Sequence, residues 1–128
     1  MGKTLLVEPD IDAGEALVRA LDAAGVQVDA AFWLLASEDA DWTLYVASPL
    51  VEQRGPYEVY SKIRSVIRKA TPPPEIRIDH ISAVGSNDRM VRLIQAAIRT
   101  GKGALSQIRF RQNVVNGTYI EDAIIYRS

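Results

Sequence analysis

Cysteine is absent from this chain of 128 residues, and histidine occurs once, as His80. Without thiols the chain can form no internal disulfide, thiolate zinc site or iron–sulfur cluster, and it has no cysteine nucleophile. A single imidazole also excludes sites that need two, such as the H-E-x-x-H zinc motif. We therefore expect no metal site and no cofactor, and the lack of cysteine favours a reducing, cytoplasmic setting.

Long apolar runs are also lacking. The longest, at residues 30–36, has the length of a strand, whereas a membrane span needs about 18 apolar residues. Residues 1–6 carry one positive charge and no long apolar segment, so neither a targeting signal nor a lipid anchor is predicted. We expect no contact with a membrane.

The composition is that of an ordinary soluble domain, with 48% hydrophobic and 24% charged residues. A chain of this size buries roughly two thirds of its unfolded surface on folding, which suffices for one core without disulfides or metals. We therefore predict a single domain over residues 1–128.

The net charge of −1 conceals an uneven distribution. Residues 1–53 contain two basic and ten acidic side chains, whereas residues 54–128 contain thirteen basic and six acidic ones. The two halves either intermix their charges on one surface or present a basic face to a nucleic acid or another polyanion. Aromatic side chains that stack on bases are scarce among the basic segments, so nucleic-acid binding is not expected.

Hydrophobic periodicity and the positions of proline and glycine predict elements in the order αββαβαββ. The helices are predicted at about 9–24, 56–70 and 88–100, and the strands at about 26–36, 42–51, 76–84, 109–115 and 118–126. Pro9 and Gly25 bound the first helix, and the prolines at 72–74 end the second. The segment Gly101-Lys102-Gly103 does not match a Walker A loop and is interpreted as a connection. The fold class is α+β, with a mainly antiparallel sheet of about five strands covered by helices.

The clearest local signal is Asn116-Gly117, which fits a two-residue type I′ turn because both residues tolerate positive φ. This turn fixes the register of a C-terminal hairpin, in which Arg111 faces Asp122 as a cross-strand ion pair. One face, predicted to be the core face, carries Ile108, Phe110, Val114, Tyr119, Ala123 and Ile125. The opposite face carries Arg109, Arg111, Asn113, Ile120, Asp122 and Ile124.

This opposite face combines large apolar side chains with polar ones. Ile120, Ile124 and Tyr126 require cover, either from another layer of the chain or from a second molecule. Internal cover is favoured; the alternative is a homodimer, or a contact with an unknown partner protein, through the C-terminal hairpin. The candidate ligand-binding residues of this face are Arg109, Arg111, Asn113 and Asp122.

Acidic groups and the single imidazole on two predicted strands give a further hypothesis. Glu121 falls on the apolar face opposite Gln112, where a carboxylate needs donors or water. If the two strands are neighbours, Glu121 joins Asp79 or His80 in an acid–base site of a small hydrolase. A purely structural His80 is the favoured alternative, so the sequence leaves open whether the chain is an enzyme.

Characteristic segments occur along nearly the whole chain: Ala31-Phe32-Trp33-Leu34-Leu35, 42–51, Gly55-Pro56, Ile108-Arg109-Phe110, Asn113, Asn116-Gly117, Ile120-Glu121-Asp122-Ala123 and Tyr126-Arg127. Together they resemble a group of small uncharacterised bacterial proteins. The resemblance implies a bacterial cytoplasmic protein in which the first helix and the hairpin of Ala31 and Trp42 are regular features. It implies no activity, cofactor or catalytic residue, because its motifs are turns and core positions.

The leading functional hypothesis from the sequence is a non-enzymatic protein-interaction or regulatory module. One alternative is a nucleic-acid or polyanion binder that uses the basic second half. The other is a small hydrolase-type enzyme that uses Glu121, Asp79 or His80. A pocket that brings Glu121 near His80 or Asp79 would favour the enzyme.

Overall fold

The computed structural model describes residues 2–101 and 103–128. Over these residues the helices are α1 (Glu8–Ala23), α2 (Pro49–Arg54), α3 (Pro56–Lys69) and α4 (Arg89–Ala97), with a 3₁₀ turn at Ile78–His80. The strands are β1 (Ala30–Leu35), β2 (Thr43–Ala47), β3 (Ile81–Val84), β4 (Ile108–Val115) and β5 (Thr118–Arg127). Lys102 of the predicted connection lies outside the described residues. The α+β class is confirmed, and the element order agrees with the prediction apart from the additional α2.

The five strands form one mixed sheet in the order β3-β2-β1-β5-β4. Strand β1 is antiparallel to both β2 and β5, and β4 is antiparallel to β5. Only the β2 and β3 pair is parallel among the described residues, because the chain crosses from one to the other through α2 and α3. The sheet is therefore mainly antiparallel, as predicted, with β3 and β4 at its two edges.

Helices cover both faces of the sheet. On one face, α1 and α3 pack against side chains that include Trp33, Leu44, Ile124 and Tyr126. On the other face, α4 packs against side chains that include Phe32, Ile120, Ala123 and Ile125. The central strand β1 is buried on both faces, with residues 30–34 at most 3% exposed. This double burial explains why its sequence is apolar without interruption.

Helix α1 lies unusually close to the sheet at Gly14. A Cβ atom at this position would be 2.3 Å from the phenolic oxygen of Tyr126 and 2.9 Å from Nε1 of Trp33. The Tyr126 hydroxyl donates a hydrogen bond of 2.6 Å to the carbonyl oxygen of Ile11. Burial raises the pKa of this hydroxyl well above its ordinary value of 10.0. Glycine is thus required for α1 to approach the buried tyrosine.

Three predicted strands are shorter than expected. The strand predicted at 26–36 is confined to Ala30–Leu35. The strand predicted to run from 42 to 51 ends at Ala47, since the side chain of Ser48 accepts a hydrogen bond from the Leu50 amide and Pro49 begins α2. The strand predicted from 76 to 84 is extended only at Ile81–Val84. The prediction was wrong for residues 76–80. The partner strand β2 begins at Thr43, so the residues before Ile81 have little to pair with.

The predicted hairpin register is confirmed from Val115 opposite Thr118 to Ile108 opposite Ile125. Asn116 and Gly117 adopt φ values of 49° and 81°, as the type I′ turn requires. The prediction of one core face was wrong in part. Val114 and Tyr119 at the turn end are 59% and 46% exposed, whereas the adjacent Val115 and Ile120 belong to the core beneath α4 together with Phe110. The two side-chain faces therefore exchange between Arg111 and Asn113, where Gln112 has a φ of 47°.

The apolar side chains predicted on the opposite face are all covered from within the chain, but the assignment of Ile120 to that face was wrong. Ile120, Ile124 and Tyr126 are 0%, 4% and 0% exposed, so they form no surface for a second molecule. Ile124 and Tyr126 belong to the core beneath α1 and α3, and Ile120 to the core beneath α4. No helix of residues 2–101 and 103–128 is both long and apolar enough to cross a membrane.

Candidate functional site

The three candidate catalytic residues lie in two separate regions. Asp79 and His80 belong to the 3₁₀ turn before β3, whereas Glu121 lies on β5. Two strands, β2 and β1, separate β3 from β5, and three strand spacings amount to about 14 Å. The structure therefore does not bring Glu121 together with His80 or Asp79.

His80 lines a small cavity of about 180 Å³ between the N-terminal segment and the residues before β3. Lys3 and Asp10, which form an ion pair of 3.0 Å, and Glu75 share this cavity with His80. The adjacent Asp79 is exposed, and hydrogen bonds from Arg77 of 3.0 and 2.9 Å lower its pKa. A carboxyl group held in its ionised form by Arg77 is poorly suited to donate a proton.

Glu121 finds the donors that its position requires. Its carboxylate accepts hydrogen bonds from the Tyr119 hydroxyl at 3.1 Å and from Nε2 of Gln112 at 3.2 Å. Desolvation and the bond to Glu121 raise the pKa of Tyr119. Within residues 2–101 and 103–128, no group of three or more histidine, aspartate or glutamate side chains is placed to hold a metal ion.

The four candidate ligand-binding residues do lie together on β4 and β5. Arg109 binds the Asp122 carboxylate in a bidentate manner, with Nε 2.8 Å from Oδ1 and Nη2 in contact with Oδ2. Nε of Arg111 lies 3.7 Å from the same carboxylate. Asn113 turns back on its own strand, where Oδ1 accepts a hydrogen bond of 2.9 Å from the Val114 amide.

The ion pairing at Asp122 differs from the predicted pair of directly opposed residues. Arg111 faces Asp122 across the strands, but the diagonal residue Arg109 makes the closer contact. The hydrogen bonds that Arg109 donates to Asp122 raise the pKa of Arg109. The Asp122 side chain is only 8% exposed, whereas those of Arg109 and Arg111 are 49% and 59% exposed. Two accessible guanidinium groups therefore share one buried carboxylate, which leaves this face of β4 positively charged.

Strand β4 also has an open backbone edge. On β2, Ser48 points toward β3, where its amide bonds to Val84, so Tyr45 and Ala47 point toward β1. Alternation across β1 then directs the backbone groups of Ala123 and Ile125 toward β4, because their partners Leu34 and Phe32 point toward β2. The partners of Ala123 and Ile125 on β4, Phe110 and Ile108, therefore point toward β5, and the N–H and C=O groups of Arg109 and Arg111 point outward. No hydrogen bond from residues 2–101 or 103–128 reaches these outward groups. They form an unpaired strand edge, the kind of edge that accepts a further strand.

The opposite edge, at β3, is closed by a side chain. The carbonyl of Val84 accepts a hydrogen bond from the Ser48 amide, on the side of β2, so the alternate residues Ile81 and Ala83 face outward. The Tyr60 hydroxyl, on α3, donates to the Ile81 carbonyl at 3.3 Å and accepts from the Ala83 amide at 3.0 Å. One phenol thus binds one outward carbonyl and one outward amide of this short strand.

Sequence reasoning identified the polar cluster at Asp122 but missed the open edge on which it lies. The available signal was the alternation of Arg109, Arg111 and Asn113, because exposed charges on every second residue are typical of edge strands. No local signal marks Tyr60 as the residue that closes β3.

No protein-family model, curated protein or solved structure matches the chain. The resemblance to small uncharacterised bacterial proteins therefore stays a prediction. The function has to be argued from the geometry of the chain alone.

Proposed function

We propose that the protein is a non-enzymatic interaction module that binds an extended acidic segment of another protein as a sixth strand along β4. The observation that carries this proposal is the difference between the edges: β3 is closed by Tyr60, whereas the outward backbone groups of Arg109 and Arg111 are free. Main-chain hydrogen bonds to such an edge supply affinity, and side chains supply specificity. The proposed setting is the cytoplasm, which the absence of cysteine supports.

The charge of β4 selects the partner. Arg109 and Arg111 project on the same face at alternate positions, and each retains guanidinium donors that Asp122 does not use. Carboxylates at alternate positions of an added strand would lie opposite them, where cross-strand pairs of unlike charge are stabilising. The incoming segment therefore carries acidic residues at every second position.

The same arginines disfavour pairing between two copies of the chain. An antiparallel register that sets Phe110 opposite Phe110 of a second copy places Arg109 opposite Arg111. A register that sets Phe110 opposite Ile108 places Arg109 opposite Arg109. Like charges directly opposite one another destabilise a strand pair, so a heterologous acidic strand is favoured over the predicted homodimer.

The two alternative functions receive less support from the geometry. A hydrolase lacks the convergence of Glu121 with His80 or Asp79. A polyanion binder would draw on Arg109 and Arg111, but part of their charge is neutralised by Asp122. Both alternatives stay predictions from the sequence.

The test uses the full chain and a short, end-blocked peptide of alternating glutamate and valine carrying a fluorophore. Binding is measured by fluorescence anisotropy. We expect the glutamate and valine peptide to bind with an affinity that falls as salt is added, and the matched lysine and valine peptide not to bind. Arg111→Glu should reduce affinity about tenfold. Arg68→Glu, a charge reversal on the exposed side of α3, should leave affinity unchanged.

N-methylated peptides separate strand addition from simple charge attraction. Methyl groups on the peptide amides that point toward β4 remove the main-chain hydrogen bonds and should abolish binding. Methylation of the peptide amides that point away from β4 should not abolish binding. Equal binding of the lysine peptide, or equal loss from both methylation patterns, would overturn the proposal. If sedimentation shows a dimer that is insensitive to salt and that prevents peptide binding, pairing of two copies through β4 would replace the proposed strand addition.

A further inference from the structure

A sizeable cavity lies at the end of β5 far from the Asn116-Gly117 turn. Its volume is about 530 Å³, within the range of small-molecule sites. The polar side chains that matter here are Asp22, Asp29, Ser86, Gln95, Arg99 and Arg127. They come from the end of α1, the loops before β1 and after β3, the end of α4 and the end of β5, so the cavity is enclosed by several elements.

One wall of this cavity is a satisfied ion pair. The Arg127 side chain, 3% exposed, binds both oxygens of Asp22 at 3.0 and 2.8 Å. It also donates to the carbonyl oxygens of Ala104 at 2.8 Å and Val28 at 3.1 Å. Four of its five N–H donors are therefore used within the chain. The ion pair of Arg127 and Asp22 therefore forms part of the cavity wall, and the other charged groups of the cavity are the ones that can bind a ligand.

The remaining charges of the cavity, Asp29 and Arg99, have opposite signs, and neither has an ion-pair partner within residues 2–101 and 103–128. The half-buried Asp29 accepts hydrogen bonds from the Ser86 hydroxyl at 2.5 Å and from Nε2 of Gln27 at 2.9 Å, but from no cation. In the described part of the chain, no hydrogen bond or ion pair engages the side chain of Arg99 or of Gln95. A carboxylate and a guanidinium that share a cavity without pairing with each other leave room for a ligand that engages both.

The charge balance of the walls determines the ligand class. A simple anion would face Asp22, Asp29 and the carbonyl ends of α1 and α4, which carry partial negative charge. A simple cation would face Arg99 and Arg127. We propose that the cavity binds a small zwitterion such as a free α-amino acid, with its ammonium on Asp29 and its carboxylate on Arg99 and the amide of Gln95.

The experiment is isothermal titration of the full chain with free neutral α-amino acids one at a time, with methylamine and acetate as single-charge controls. We expect saturable binding of at least one amino acid and none of either control. Asp29→Asn and Arg99→Gln should each weaken binding about tenfold. Arg92 lies on α4 but outside this cavity, so Arg92→Gln should not change the affinity.

Failure of this proposal is distinguishable from failure of strand addition, because the peptides above have blocked ends and offer no free ammonium or carboxylate terminus. No binding of any amino acid at millimolar concentration would overturn the proposed site. Equal binding of acetate would also overturn it, as would a wild-type affinity in Arg99→Gln.

Discussion

The two edges of the sheet have the same backbone chemistry but are finished differently. At β3 the outward amide of Ala83 and carbonyl of Ile81 are bound by the phenol of Tyr60, whereas at β4 the outward backbone groups of Arg109 and Arg111 are free. The cause is the layer of helices: α3 packs against β3 and supplies Tyr60, whereas α4 packs against β4 without supplying such a side chain among residues 2–101 and 103–128. One side chain therefore suffices to close a short edge strand, and an edge strand without such a side chain is available to a partner.

Two features of β4 nevertheless protect its open edge against aggregation. Gln112 adopts a φ of 47°, which interrupts the regular strand, and Asn113 occupies the amide of Val114. Irregular residues and charged side chains are the usual protection of edge strands against aggregation. The regular, unoccupied part of the edge is confined to residues 108–111, next to the two arginines. Selectivity for an acidic segment thus follows from the same features that discourage self-association.

The largest effect that we expect comes from opening the closed edge. Tyr60→Ala removes two hydrogen bonds and a half-buried ring, which should cost about 2–3 kcal/mol of unfolding free energy. The matched change Tyr119→Ala, at the exposed end of the hairpin, should have little effect. Urea denaturation measures both. Equal losses in the two variants would mean that Tyr60 does not protect β3.

A smaller effect should come from the carboxylate behind the open edge. Asp122→Asn leaves two guanidinium groups without their buried partner, and because these groups are half exposed we expect a loss of about 2 kcal/mol rather than the full cost of a broken buried pair. Asp79→Asn, beside the closed edge, should not change stability measurably, since its pair with Arg77 is exposed. Thermal unfolding of both variants checks this, and a larger loss in Asp79→Asn would contradict it.

The smallest effect concerns pH and distinguishes the covered part of β5 from its exposed end. Because burial raises the folded-state pKa of Tyr126, the unfolded chain loses this proton first as the pH rises past 10.0. Stability is fully present below that pH and should fall by about 1 kcal/mol between pH 10 and 11. Tyr126→Phe should remove this part of the pH dependence. A decline in the variant as steep as in the wild type would assign the titration to other groups.

The parts of the fold that depend on local chemistry were predictable. Asn116-Gly117 specifies its turn without reference to the rest of the chain, and the register follows from it as far as Ile108 opposite Ile125. The same register brought Arg111 next to Asp122. The closer contact from the diagonal Arg109 depends on strand twist and side-chain rotamers, which the register does not specify.

Other parts depend on which strands become neighbours, and there the pattern alone was insufficient. Ile76 and Ile78 alternate with polar residues as a strand would, yet residues before Ile81 have no extended partner. The convergence of Glu121 and His80 failed for a related reason, because strand order places β2 and β1 between them. Serine and proline at 48–49 did carry a helix signal, which the neighbouring apolar run obscured.

The phenol at the β3 edge also limits stoichiometry. A sheet with two open edges can propagate, since each added molecule presents a fresh edge to the next. Two molecules that each have one open edge can pair once through those edges, which leaves only their closed edges outside. If two copies ever pair through β4, both remaining edges are closed by Tyr60, so the assembly terminates as a pair and no fibril can extend from it.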